Sequence, residues 1–130
     1  MTDLSHIPGY VGYHCCRPSK TGGGVSVFVR DNLLSESLNI CLNNNSIECI
    51  GIRFKYSAKS EWTNVLGLYR PPSGNLNEFN LLLEGVICRS EFNSFNSVIA
   101  GDFNICLLKE YISKQSSDLI NLMHSLFFTC

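Results

Sequence analysis

Asp102 and Asn104 flank Phe103 at the end of a short apolar run, in the segment Gly101-Asp102-Phe103-Asn104. A carboxylate and an amide so spaced, where a strand gives way to a turn, project into one crevice, the place where α/β proteins gather their sites. The aspartate can order a water or bind a cation; the asparagine can hold an oxygen without adding charge. The same residues also suit a plain turn, since Asp and Asn hydrogen-bond their own backbone. Tyr69-Arg70-Pro71-Pro72 closes another apolar run. A phenol and a planar guanidinium at a strand tip are good donors to phosphate oxygens. Equally, the tyrosine can cap the core with the arginine left in water. His14-Cys15-Cys16 offers metal-ligand types, but no CxxC spacing and no second cluster completes a site, so zinc is not expected.

The elements that must hold these residues are short strands first and helices later. Val25, Val27 and Val29 alternate with Ser26, Phe28 and Arg30, a period-2 strand that follows a turn at Thr21-Gly22-Gly23-Gly24. Ile50, Ile52, Phe54 and Tyr56 share one face of a second strand, with Cys49, Gly51, Arg53 and Lys55 on an expected wetter side. The run from Thr63 to Tyr69 is apolar on both faces, as an interior strand is, and stops at the prolines. Asn43-Asn44-Asn45 reads as a loop tip. Asn75, placed ahead of Glu78 as in a capping box, opens a helix with Leu76, Phe79, Leu83, Val86 and Ile87 on one stripe. The segment from Ser97 to Ala100 reads as a short buried strand. A last helix, capped by Ser116 or Ser117, carries Leu119, Leu122, Met123 and Leu126, with Met123 filling core space.

The 130 residues suit one domain, and 45% hydrophobic against 16% charged residues supports a packed core rather than disorder. A formal net charge of −1 excludes a strongly basic nucleic-acid coat and a polybasic membrane binder. No apolar run is long enough to cross a bilayer, and no signal peptide is visible. The cysteines at 15, 16, 41, 49, 88, 106 and 130 scatter without a framework, and those at 49 and 88 sit in apolar segments. Reduced thiols in an intracellular protein, with the nucleus as one possible site, are therefore expected.

Taken in order, Ile7-Pro8-Gly9-Tyr10, Gly22-Gly23-Gly24-Val25, Tyr69-Arg70-Pro71-Pro72 and Gly101-Asp102-Phe103-Asn104-Ile105 resemble the endonuclease/exonuclease/phosphatase superfamily. The version is the apurinic-type endonuclease domain of non-LTR retrotransposons, similar to the jockey-like group. The resemblance implies an α/β fold of the DNase I type, two β-sheets packed face to face with helices outside. It implies a magnesium-dependent phosphodiesterase acting on DNA. Tyr69 would line the phosphate site, Asp102 would handle the proton of the attacking water or the leaving group, and Asn104 would orient the phosphate and that aspartate. Arg70 would contact substrate or support the site from behind.

The family also carries an asparagine and a metal-binding glutamate upstream of the Ile-Pro-Gly-Tyr segment, and an aspartate-histidine pair near its C-terminus. Neither stands between Met1 and Cys130, and His6, His14 and His124 are not in that motif. Glu48 is not assigned the metal role, and Cys106 stands where relatives often have aspartate. Residues 1–130 are thus expected to be the central portion of such a domain. Two readings follow. One is a fragment of a DNA-nicking endonuclease of retrotransposition, inactive as this chain; the other is a non-catalytic remnant acting at most as a binding or structural module. A lipid phosphatase of the same superfamily fits the Tyr-Arg-Pro-Pro segment less well. Missing N-terminal strands would leave an apolar edge on a sheet built from the 25–30 and 47–56 runs, making the isolated chain marginal or prone to aggregate.

Overall fold

The computed structural model describes residues 6–15, 24–89, 92, 96–106, 108 and 113–128, with side chains of the last helix up to 125. The chain is mixed α/β, with two sheets and two helices. Strands β1 (Tyr10–Cys15) and β2 (Val25–Arg30) form an antiparallel pair. Strands β3 (Leu34–Asn43), β4 (Glu48–Lys55), β5 (Thr63–Tyr69) and β6 (Ser97–Asp102) form the larger sheet in the order β3-β4-β5-β6. β3, β4 and β5 run antiparallel, whereas β6 lies parallel to β5. A parallel pair needs a crossover, and helix α1 (Leu76–Ile87) supplies it. Helix α2 (Lys114–Phe128) follows β6.

The larger sheet is the middle layer. On one face Cys49, Leu66 and Leu68 pack with Phe79, Leu83, Val86 and Ile87 of α1 and with Leu119 of α2. On the other, Ile50 and Ile52 pack with Val29 and Cys15 of the smaller sheet. Gly67 makes room for this second layer, since a Cβ there would come 2.9 Å from Val25 Cγ1 and 3.1 Å from Val27 Cγ2. Tyr13 of β1 shares a 2.8 Å hydrogen bond with Ser35 of β3, which also ties the layers.

Several expectations hold locally. The Asn75 side chain accepts from Glu78 N at 3.0 Å, capping α1. The Glu78 carboxylate is used differently from a capping box, accepting from the Ser46 hydroxyl at 2.6 Å, so the helix start is fastened to the loop before β4. That loop is the asparagine tip, where Asn44 Oδ1 accepts from both Ser46 N and Ile47 N at 2.9 Å. Met123 packs against the helix-side core.

Other expectations are corrected. The 25–30 and 48–55 strands belong to different sheets, so they share no edge. The opposite side of β4 is not wetter along its length: Cys49 and Gly51 are buried under the helices, and only Arg53 and Lys55 reach solvent. These two cations cover the Trp62 ring, at 4.4 and 4.5 Å from its centroid, and Arg53 is ion-paired with Glu36. β6 is the edge strand of its sheet, with Val98 49% exposed, because the smaller sheet covers β4 and β5 and stops short of it. α2 begins at Lys114 with Ser113 Oγ accepting from Ser116 N at 3.1 Å, so Ser113, not Ser116 or Ser117, caps it. Cys15 and Cys41 form a disulfide joining β1 to β3, against the expectation of reduced thiols, and Cys88 is exposed rather than core. Thr21 to Gly23, Cys16, Cys130 and the Leu126 side chain lie outside the described residues.

Candidate functional site

The parallel register of β5 and β6 sets Tyr69 directly beside Asp102. In-register neighbours point to the same face of a sheet, so the phenol and the carboxylate share one sheet end and one side. That side faces the smaller sheet, since Val65 of the same β5 face packs there and Gly67 meets Val25 and Val27. Tyr69 is half-buried and its hydroxyl makes no hydrogen bond among the described residues, whereas Asp102 is exposed. Asn104 follows in the turn, with φ +48°, a left-handed conformation that asparagine tolerates better than most residues.

Asp102 Oδ1 accepts from Asn104 N at 3.0 Å, which fixes the carboxylate and leaves its other oxygen for a partner. The Asn104 amide turns inward and donates to Arg70 O at 2.7 Å. Arg70 answers in the opposite direction. Its Nη2 donates to Asn104 O at 2.6 Å, its Nε to Phe103 O at 2.7 Å and its Nη1 to Gly74 O at 2.7 Å. Its own N–H donates to Asp102 O at 2.9 Å. Arg70 is 8% exposed, so the guanidinium expected in water or on substrate spans carbonyls from the β6 turn and the approach to α1. Its place in the geometry is to hold the Asp102 turn.

Gly101 completes the turn sterically. A Cβ there would lie 1.8 Å from Leu68 O, so only glycine lets β6 close against β5 just before Asp102.

One residue of this sheet end carries no role in the sequence reading. Glu48 pairs in register with Tyr69 across the β4–β5 ladder, so Glu48, Tyr69 and Asp102 form a row over three strands on one face. Glu48 is fully buried and its Oε2 accepts from Gly24 N at 2.7 Å, at the start of β2. Its signal in the sequence is a charged residue where the apolar alternation of Ile50 and Ile52 would put an aliphatic one. The register that puts it opposite Tyr69 depends on the loop between β4 and β5.

The other chemistry-bearing residues do not join. His14 lies in β1, with Nδ1 sharing a 2.8 Å hydrogen bond with the Ser26 hydroxyl. Cys49 is buried on the helix side, and burial pushes its thiol up to about 11. Cys106, beyond Asn104, is exposed as a free thiol. Among the described residues, no three His, Cys, Asp or Glu side chains gather closely enough to hold a metal ion. No helix among them is long and apolar enough to cross a membrane. The chain matches no protein-family model and no curated protein.

Proposed function

We propose that this chain carries the central part of a phosphodiester-cleaving domain of the endonuclease/exonuclease/phosphatase type, acting on DNA. Tyr69 donates to a phosphate oxygen, Asp102 takes or returns the proton of the attacking water or the leaving oxygen, and Asn104 holds that carboxylate in line. The observation that supports this reading is the pairing of Tyr69 with Asp102 at the ends of adjacent parallel strands. The register sets the phenol and the carboxylate side by side on one sheet face, which is the arrangement a phosphate bound between them would need. Preorganisation also favours it: the Asn104 N–H and the Arg70 fork fix the turn before any ligand arrives.

Magnesium is the cofactor this reading carries, and it would supply charge stabilisation at the phosphoryl oxygens. The described residues do not by themselves make a complete donor set for it, and no step above runs through the ion. The reading also carries an intracellular setting with access to the nucleus. The Cys15–Cys41 disulfide weighs against that part, since reducing compartments rarely keep such bonds.

A second reading, a non-catalytic remnant that binds at most, is favoured by one feature: the Arg70 guanidinium and the Asn104 amide are committed to backbone carbonyls. Two measurements separate the readings. The fragment is expected to be inactive as this chain, so nicking of supercoiled plasmid in magnesium that disappears with Asp102→Ala would show a working endonuclease instead. No nicking, with inorganic phosphate still shifting the NMR signals of Tyr69, Asp102 and Asn104, selects the binding remnant. Failure of both sinks the phosphodiester assignment.

A further inference from the structure

We propose that Glu48 is a positioning residue of this site, fastening the start of β2 against the Tyr69–Asp102 end of the central sheet. The proposal rests on the phosphodiester reading for what the positioned groups act on; the fastening itself is read from the geometry. Glu48 is 0% exposed, on a strand face whose next members are the core residues Ile50 and Ile52. A carboxylate is costly to bury unless it is hydrogen-bonded, so its place there calls for a partner that needs it.

That partner includes the Gly24 N–H, 2.7 Å from Oε2. Gly24 has φ +111°, a backbone conformation open to glycine and strained for other residues. It is the last residue before β2, so fixing its amide fixes where that strand begins. A charge-assisted hydrogen bond is shorter and stronger than a neutral one, and it has a direction that apolar packing lacks. Beside this contact Val25 and Val27 close on Gly67, which lies on the same β5 face as Tyr69. One carboxylate therefore sets the smaller sheet over the flank of the tyrosine, and Glu48 stands next to Tyr69 in the row that ends at Asp102. Glu48 acts through Gly24 and touches no reacting atom in this scheme.

The test uses the full chain, ¹⁵N-labelled, as wild type, Glu48→Gln and Glu48→Leu. In the wild type the Gly24 amide proton is expected far downfield and protected from exchange, as a donor to a carboxylate is. Glu48→Gln keeps an acceptor, so Gly24 stays protected but moves upfield, and Tyr69 and Asp102 keep their positions. Glu48→Leu removes the acceptor: Gly24 exchange speeds at least about tenfold, as loss of one hydrogen bond allows, and the Tyr69 and Asp102 signals move. Gly24 protection retained in Glu48→Leu, or Tyr69 and Asp102 signals unmoved, overturns the proposal. Should Glu48→Leu fail to fold, a Gly24 resonance identical in wild type and Glu48→Gln overturns it as well. Inorganic phosphate added to the wild type reports separately: no response at Tyr69, Asp102 and Asn104 discards the phosphodiester reading, whatever Gly24 does.

Discussion

Arg70 shows how a residue type can be right and its use different. A guanidinium at a strand tip suits phosphate, yet its fork is occupied by the carbonyls of Gly74, Phe103 and Asn104. Hydrogen bonds from a charged group contribute about 1.5–3 kcal/mol each, and partly buried carbonyls left unpaired add a desolvation cost. Arg70→Ala is therefore expected to lower stability by roughly 3 kcal/mol, with Arg70→Lys intermediate because an ammonium cannot reproduce the planar fork. Urea denaturation checks this, and a change within experimental error would deny the bracing role. Cysteine chemistry gives a second expectation at this scale. Burial pushes Cys49 up to about 11 from 9.0, while Cys88 and Cys106 are exposed. A thiol-specific alkylating reagent at pH 8 should label Cys88 and Cys106 promptly and Cys49 only on unfolding, because the thiolate is the nucleophile. The raised folded-state value also sets a sign. Cys49 contributes its full stability below pH 9, and that contribution is lost as pH rises toward 11. Peptide mapping after labelling decides the first point, and unfolding free energies across that window decide the second.

Strands and helices differ in how openly they show themselves. β2, β5 and α1 follow from alternation, from the proline stop and from the Asn75 cap. β1 and the ten-residue β3 carry no comparable pattern: β3 has a register shift between Ser37 and Ile40, and Asn39 sits at φ +56°. A bulge moves the side-chain alternation onto the other face, so the period-2 signal cancels along the strand. Edge position is equally hidden. The apolar run at Ser97 to Ala100 looks buried, but β6 ends its sheet with Val98 half exposed on the side the smaller sheet does not reach. An apolar edge strand is a template for pairing with another chain, and a lysine on it is the usual remedy. Val98→Lys should therefore raise the monomer fraction and the soluble concentration with little change in thermal midpoint. Size-exclusion chromatography under non-reducing and reducing conditions checks it, and unchanged or increased association would show that β6 is not the sticky edge.

Across the whole molecule, three layers are held together by unlike devices. Helix-side packing is extensive and apolar, running from Leu38 and Ile40 through Phe79 to Leu119. The smaller sheet is held by a few valines and isoleucines, the Tyr13–Ser35 and Gly24–Glu48 hydrogen bonds and the Cys15–Cys41 disulfide. The disulfide closes a loop with a sequence separation of 26, for which chain-entropy reasoning gives about 3.5 kcal/mol. Cys41→Ser should thus lower stability by roughly that amount, and exchange protection should fall in β1 and β2 more than in β4 and β5. Uniform loss of protection would mean that the layers unfold as one unit, and no loss at all would mean that the disulfide does not stabilise the smaller sheet.

Composition and short-range pattern determined that this chain packs a core, that its class is α/β, and that strands end beside Tyr69 and Asp102. Those follow from local physics: alternation, proline and glycine punctuation, and capping act over a few residues. Tertiary structure alone decided that Tyr69 and Asp102 are neighbours in one parallel pair, because register between distant strands is set by crossover and loop geometry. It also decided that Arg70 turns inward, that the Asn104 amide braces Arg70 O, and that Glu48 joins the row through β4. A polar side chain's partners depend on which backbone groups lie within 3 Å of it after folding. Residue type states what a group can bind, and only the packed chain states what it does bind.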